Sequence, residues 1–349
     1  MHLAKLGTIE RGPKRRQGHS YSLTLMRPCL IAIDMDGTLL GSNGRVSVRN
    51  RAALLAAEQR DVEIVIATGR RHAYAMRVLR DLGLRGTNAM ISSNGTVTRT
   101  IDSTLVQRTH MPLETARWLC REVEEFRDTF VLTFDNVGPD GEDRNGALVC
   151  EQTEALHASI GAWMRTNEPY IRRVDRMEQV LGGSARQVLP GSVAIAEADG
   201  EVPDDLRLHA PIQAMLCGTI ERMQAAEARL MRHPAVAGVG QPESSGCEIV
   251  LHRTVYPAKD LAILDILPAG CSKASALARL AALRGCTLQD VVAIGDNWND
   301  VPMLRAAGRA VLMSNAPVEL LELARQQGWT IGASNDEDGV AQAIEAAIY

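Results

Sequence analysis

Residues 31–41 read IAIDMDGTLLG. An apolar run closes on Asp34, a single Met35 intervenes, and a second carboxylate, Asp36, precedes Gly37-Thr38. With Cys29 and Leu30 in front, the run reads as a short buried strand. Two acids one residue apart at its end call for a chemical reason.

The pattern continues outward from this strand. Asn43-Gly44 is a tight-turn signal, so a small hairpin flap is expected after Asp36. Ser47–Arg60 reads as a helix, VEIVIATG (62–69) as a second apolar strand, 71–82 as another helix and AMISSNG (89–95) as a third strand. This β-α-β-α-β alternation predicts a parallel sheet with helices on both faces. After Thr96 the rhythm changes. Helical stretches at Leu113–Phe126, Glu151–Met164 and Ile220–Arg232 mix with short strands such as TFVLTFD and with Gly/Pro/Asp-rich loops. That stretch reads as an α+β insertion of about 160 residues. Alternation resumes near Pro268. Ser272 looks like an N-cap, Lys273–Arg284 a helix stopped by Gly285, and DVVAIGD (290–296) a strand. A helix to Gly308, RAVLM, a helix over Val318–Gln327, WTI and a helix over Glu337–Ile348 complete the pattern.

Bulk properties restrict the function classes. The chain has 349 residues, 46% of them hydrophobic, and a net charge of -4, which is ordinary for a folded protein of two domains. No charge excess points to nucleic acid or to a membrane surface, and no apolar run approaches the roughly 20 residues of a membrane span. Seven scattered cysteines without a CxxC pair argue against a disulfide framework or a zinc site, and a cytoplasmic location is expected. Residues 1–27 are polar and basic and read as a flexible tail, with Met26 an alternative start.

In an open parallel sheet, ligands bind beyond the carboxyl ends of the strands. Here those ends carry Asp34 and Asp36; Thr68-Gly69-Arg70; Ser92-Ser93-Asn94-Gly95; and Asp296-Asn297, followed by Asn299 and Asp300. Asp34, Asp36, Asp296 and Asp300 would bring four carboxylates together, a repulsion that a hard divalent cation such as Mg2+ relieves. Thr68, backbone N–H groups at Met35 and Gly69, and the ammonium of Lys273 at a helix start would supply donors for a phosphate. Lys occurs only four times, so its presence at that point is informative. Each residue also has a plainer reading. Acids end strands as turn residues, Thr68 and Asn94 can close turns, and Asp300 can cap the next helix. Trp298 reads first as a core aromatic, Arg70 as structural, Cys271 as a small apolar residue, and His157, His209, His233 and His252 as surface or core.

DMDGTLL, ATGR, SKASAL and GDNWNDVPML resemble the four motifs of the haloacid dehalogenase superfamily. SSNG, AVLMSNAP and NDEDGVAQAI further resemble its Cof-like branch, whose class II subtype B cap lies between the second and third motifs. The resemblance implies a Rossmann-like parallel-sheet core, residues 28–106 and 267–349, with an inserted α+β cap, residues 107–266. It implies a Mg2+-dependent phosphatase acting on a small phosphorylated metabolite, a sugar phosphate or a nucleotide-cofactor phosphate. Asp34 would be the nucleophile and Asp36 the general acid and then base. Asp34, Asp36 (through its backbone carbonyl), Asp296 and Asp300 would serve the metal. Met35, Thr68, Gly69, Lys273 and Asn299 would hold the phosphoryl group, and Asn94 would contact substrate or the cap hinge. A phosphomutase with the same acids, and a phosphometabolite-binding protein without turnover, stand as alternatives. Neither nucleic acid nor membrane is an expected partner, and the oligomeric state is open.

Overall fold

The computed structural model describes residues 27–138, 140–151, 158–181, 194–195, 210–238, 246–256 and 259–349. The expected tail, apart from Arg27, and both His157 and His209 lie outside these residues.

The first half of the alternation is β1 (Leu30–Asp34), α1 (Val48–Glu58), β2 (Glu63–Ala67), α2 (His72–Leu79) and β3 (Ala89–Ser92), followed by β4 (Val97–Thr100) and β5 (Leu105–Arg108). The inserted stretch gives α3 (Leu113–Glu122), β6 (Phe130–Thr133), β7 (Leu148–Glu151), α4 (Ala158–Asn167), β8 (Ile171–Val174), β9 (Ala194–Ile195), β10 (Gln213–Gly218), α5 (Ile220–Leu230), β11 (Val236–Gly238), β12 (Ile249–Tyr256) and β13 (Leu261–Pro268). The closing part is α6 (Lys273–Leu283), β14 (Val291–Gly295), α7 (Val301–Ala306), β15 (Arg309–Met313), α8 (Val318–Gln327), β16 (Thr330–Gly332) and α9 (Gly339–Ile348).

Two sheets result. The first runs β16-β15-β14-β1-β2-β3-β4-β5-β9, parallel from β16 to β3 and antiparallel beyond. Its central parallel strands, β14, β1, β2 and β3, are buried on both faces, as such strands must be when helices cover each side. Ile31, Ile33, Ile64 and Ile66 face α1, α2 and α9. Leu30, Ala32, Val65 and Ala67 face α6, α7 and α8. The period of two along each strand sorts these side chains between the layers. The second sheet, β11-β12-β13-β10-β6-β7-β8, comes entirely from the inserted stretch. One of its faces packs on α3 and α5 through Leu119, Leu132, Leu216, Leu251 and Leu264.

β1 lies between β2 and β14, and the chain winds away from it in both directions. This is the point where strand order reverses, and where an open sheet leaves a crevice for ligand. Arginines at the start of and within α2 tie the core to the inserted stretch. Arg71 donates to Asp143 and Asn167, both at 2.9 Å, and Arg77 to the Tyr170 hydroxyl at 2.7 Å.

Several expectations need correction. Asn43-Gly44 does turn, with the Gly41 N–H on the Arg45 carbonyl, but only an isolated bridge between Asp36 and Leu40 forms there, not a hairpin. Glu151 ends β7, and the helix expected from it begins at Ala158. The sheet is mixed rather than purely parallel, because SSNG folds the chain straight back from β3 into β4. A disulfide joins Cys29 and Cys286, in a chain whose scattered cysteines argued against a disulfide framework. The two residues are 257 apart in sequence, yet each precedes one of a pair of adjacent strands, and the Cys29 N–H reaches the Asp290 carbonyl at 2.9 Å. Among the described residues no helix is long and apolar enough to cross a membrane.

Candidate active site

Asp34 is the last residue of β1 and is 5% exposed. The next strand over, β14, ends at Gly295, so Asp296 emerges beside it. The turn after β14 brings Asp300 back under the same strand end. Oxygen atoms of Asp34, Asp296 and Asp300 lie within 4.8 Å of one another, all three residues buried. Gly37, at φ +82°, makes this approach possible, because a Cβ there would collide with the Asp296 carboxylate.

Lys273 reaches this group from the first turn of α6. Ser272 caps that helix, its Oγ accepting from the Ser275 N–H at 3.0 Å. The Lys273 Nζ donates to Asp34 Oδ1 at 2.5 Å and to Asp300 Oδ1 at 2.7 Å, and the side chain is 1% exposed. Asp300 fills two duties. Its Oδ2 accepts from the Asp296 and Asn297 N–H groups, both at 3.1 Å, so it caps the turn while Oδ1 faces the ammonium. Asp296 accepts from Thr38 Oγ1 at 2.8 Å.

Three buried carboxylates share one ammonium, so the charge is not balanced. Burial, then Asp300, raises Asp34 well above the usual carboxylate range. Burial, then Asp300, pushes Asp296 up to about 7. Burial opposes the charge on Lys273, but Asp300 and Asp34 outweigh it and hold the ammonium protonated. An all-oxygen, net-negative donor set of this size suits a hard divalent cation. The three residues can hold a metal ion.

Asp36 departs from expectation. Its side chain is 56% exposed and pairs with Arg70 instead of joining the cluster, with Arg70 Nε on Oδ2 at 2.8 Å and Nη2 on Oδ1. Three carboxylates gather, not four. The physical reason is the two-point guanidinium fork at the end of β2, which draws this carboxylate outward.

The remaining expected residues surround the cluster. Met35 is fully buried. Thr68 is also fully buried, its Oγ1 accepting from the Arg70 N–H at 3.1 Å, which leaves the hydroxyl proton to donate elsewhere. Ser93, Asn94 and Gly95 all have positive φ. This run lets the Asn94 N–H meet the Thr68 carbonyl at 3.1 Å and lays the Asn94 side chain against Gly69. Gly95 abuts Ser272, where a Cβ would strike the backbone. SSNG thus packs the second strand's turn against the Lys273 helix. Asn299 is half-buried in the turn before α7. Trp298, expected in the core, is 42% exposed, and β12 of the second sheet contacts its turn.

Sequence reading missed the residues that the second sheet brings to the site. Tyr256 ends β12 and is 40% exposed; partial burial of its phenol, with the charges of Asp36, Asp265, Asp296 and Asp34, pushes it up to about 12. His252 is buried, and burial with Lys273 nearby pulls it down to about 4. Asp265 accepts from Gln213 and Asn94, and burial raises it to about 6. A signal existed for Asp265. It is a lone acid inside the apolar strand LAILDILP, the same anomaly that exposed Asp34. Asn315 was also missed, and its amide donates to the Gly37 carbonyl at 2.8 Å.

A family model for haloacid dehalogenase-like hydrolases matches residues 31–143 and 252–344. The chain belongs to this family. This haloacid dehalogenase-like hydrolase is 28% identical to the 5-amino-6-(5-phospho-D-ribitylamino)uracil phosphatase of Bacillus subtilis over 90% of its own length and 96% of the relative's. It is 27% identical to an HMP-PP phosphatase of an Enterobacter species over 84% and 86% of the two chains. A haloacid dehalogenase-like hydrolase of Bacteroides thetaiotaomicron shares its fold at a TM-score of 0.64, with 23% identity over 92% and 99% of the two chains. A subclass IIB sugar phosphatase shares it at a TM-score of 0.59, with 19% identity over 91% and 98%. The parallel core with an inserted second sheet is therefore the fold of subclass IIB.

Proposed function

We propose that this haloacid dehalogenase-like phosphatase hydrolyses small phosphorylated metabolites, with Mg2+, through an aspartyl phosphate on Asp34. One observation carries the reading. A buried carboxylate ends the central strand at the sheet's reversal point, touching a buried ammonium and two further acids. Residues 28–106 and 267–349 are read as the catalytic unit and 107–266 as the cap over it. The relatives named above support a phosphate-bearing small molecule as substrate. Within that class the reading is a sugar phosphate or a nucleotide-cofactor phosphate.

In this reading Asp34 attacks phosphorus, forming the Asp34 O–P bond as the alcohol oxygen leaves. Once a substrate draws the Asp36 carboxylate off Arg70, Asp36 takes up a proton from solvent and gives it to the leaving oxygen. It then takes a proton from the water that cleaves the aspartyl phosphate and restores Asp34. Thr68 Oγ1, the N–H groups of Met35 and Gly69, the third Lys273 proton and the Asn299 amide orient the phosphoryl oxygens. Asp34, Asp296, the Asp36 carbonyl and Asp300 would hold Mg2+, which when bound supplies positive charge to the phosphoryl oxygens.

The test is phosphate release from a panel of phosphorylated metabolites, with Mg2+, with chelator and with Asp34→Asn. Release that requires both the metal and Asp34 is the expected result. Transfer of phosphate back to substrate without release would indicate a mutase. Tight binding with no turnover would indicate a sensor.

A further inference from the structure

Among the described residues, the ion pairs that join the two sheets gather on one side, along α2 and the β4–β5 hairpin. The chain itself passes between the sheets at residues 109–112 and 269–272. These crossings lie side by side, for the Thr109 N–H meets the Thr96 carbonyl at 2.8 Å and the neighbouring Gly95 abuts Ser272. β9, which the inserted stretch also lends to the first sheet, pairs with β5 next to the first crossing. Ties along one margin leave open a swing about that margin.

An arm of the inserted stretch adds ties away from it. Residues 135–138 and 140–146 follow β6 and double back. The Gly138 N–H donates to the Glu142 carbonyl at 2.9 Å, the Arg144 N–H to the Asn136 carbonyl at 2.8 Å, and Asn136 Nδ2 to the Asn145 carbonyl at 3.0 Å. The base of the arm is fastened to the first sheet, where buried Asp135 accepts from Arg99 of β4 at 2.7 Å and from Arg108 of β5 at 3.0 Å. Its tip reaches the end of that sheet opposite the catalytic cluster. There Glu142 pairs with Arg80, just past α2. Gly141, at φ +77°, lies so close to the Ser103 side chain that a Cβ would collide with it. Between base and tip, Arg71 donates to Asp143 and Asn167. Arg77 donates to the Tyr170 hydroxyl and lies 5.2 Å from the centre of its ring. Arg71 and Arg80 are nine residues apart, so these ties span about 13 Å of α2.

Strength comes from the set rather than from any one pair. The largely exposed Arg80–Glu142 pair adds little. Arg71 and Asp143 are a buried pair, with side chains 10% and 2% exposed, and Asp135 holds two arginines. The arm is one hydrogen-bonded piece, so a tie that opens closes again at high effective concentration while the others hold. A swing of the second sheet has to break the set together.

We propose that this arm, with Asn167 and Tyr170, is a strap that locks the second sheet over the strand ends, so that the joint at the two crossings does not act as a hinge. Ligands then reach the cluster through a standing opening, where Asp36, Tyr256 and Trp298 stay partly exposed. The lock goes beyond the phosphatase reading and does not depend on it.

The test is the distance between two spin labels, read by pulsed electron paramagnetic resonance. Val318→Cys at the start of α8 and Gln224→Cys on α5 carry the labels at exposed positions. The background is Cys247→Ser, the other unbridged thiols being buried. With the arm intact, the distribution is single and no wider than that of Val318→Cys with Asp81→Cys, two positions that share the first sheet's unit. Neither Mg2+ nor inorganic phosphate moves it. Asp143→Ala with Glu142→Gln and Tyr170→Phe broadens the distribution and shifts its mean by more than about 2 Å, the scale of a domain rearrangement. A broad or two-peaked distribution with the arm intact, a shift on adding Mg2+ or phosphate, or no change on the triple substitution overturns the lock. Should the triple variant fail to fold, Asp143→Asn with Tyr170→Phe, which keeps the side-chain volumes, takes its place. Absence of phosphate release by the wild-type protein would strike the phosphatase reading alone, since the distances need no turnover.

Discussion

Arg70 grips Asp36 at two points, its Nε 2.8 Å from Oδ2 and its Nη2 on Oδ1. The pair sits at the mouth of the site, next to the buried cluster but outside it. If Asp36 supplies the proton to the leaving alcohol, its value depends on how poor that leaving group is. Asp36→Asn should lower the single-turnover rate of alcohol release by about 10²–10⁴ for sugar or alkyl phosphates. For p-nitrophenyl phosphate, whose leaving group departs without a proton, the single-turnover loss should be about tenfold or less. Equal losses on both substrates would remove Asp36 from the acid role.

Lys273 is the buried cation shared by Asp34 and Asp300. Lys273→Met strands two buried carboxylates, and removing one partner of such a pair costs about 3–5 kcal/mol. The thermal midpoint in metal-free buffer should fall accordingly, and Mg2+ should recover part of the loss by binding only the folded state. A metal-free midpoint equal to that of the wild type would contradict the charge balance described for the cluster.

Asp296 gives a pH signature. Its carboxyl is raised by burial from the ordinary 3.8 to about 7, so the folded metal-free protein binds a proton there that the unfolded chain has released. Between those values the folded state carries more protons, and this contribution to stability must fall as pH rises. Thermal midpoints of wild type and Asp296→Asn, both without metal, should therefore converge at about pH 4 and separate toward pH 7, with the variant relatively more stable. A difference that does not change with pH would show that Asp296 is not held protonated.

The Cys29–Cys286 bond joins the starts of the two strands that end in Asp34 and next to Asp296. Cross-linking residues so far apart in sequence restricts the unfolded chain, an effect typically of about 2–4 kcal/mol. Reductant, or Cys29→Ser, should lower the unfolding free energy by that amount and shift the denaturant midpoint down accordingly, with thiol counting by mass spectrometry to verify the bond. An unchanged midpoint would mean the bond adds nothing to stability.

Much of this protein is local, and the sequence determined that part. The strand IAID, the Ser272 cap and the Lys273 helix depend on near neighbours, since side-chain periodicity and capping act within a few residues. The order of strand ends then predicted which polar residues would meet at one crevice. What the tertiary structure alone decided involves residues distant in sequence. Arg70 drew Asp36 out of the cluster, β1 and β14 set Cys29 beside Cys286, and the second sheet carried His252, Tyr256 and Asp265 over the strand ends. In each case the outcome rests on a contact across the fold, which periodicity along one strand cannot encode.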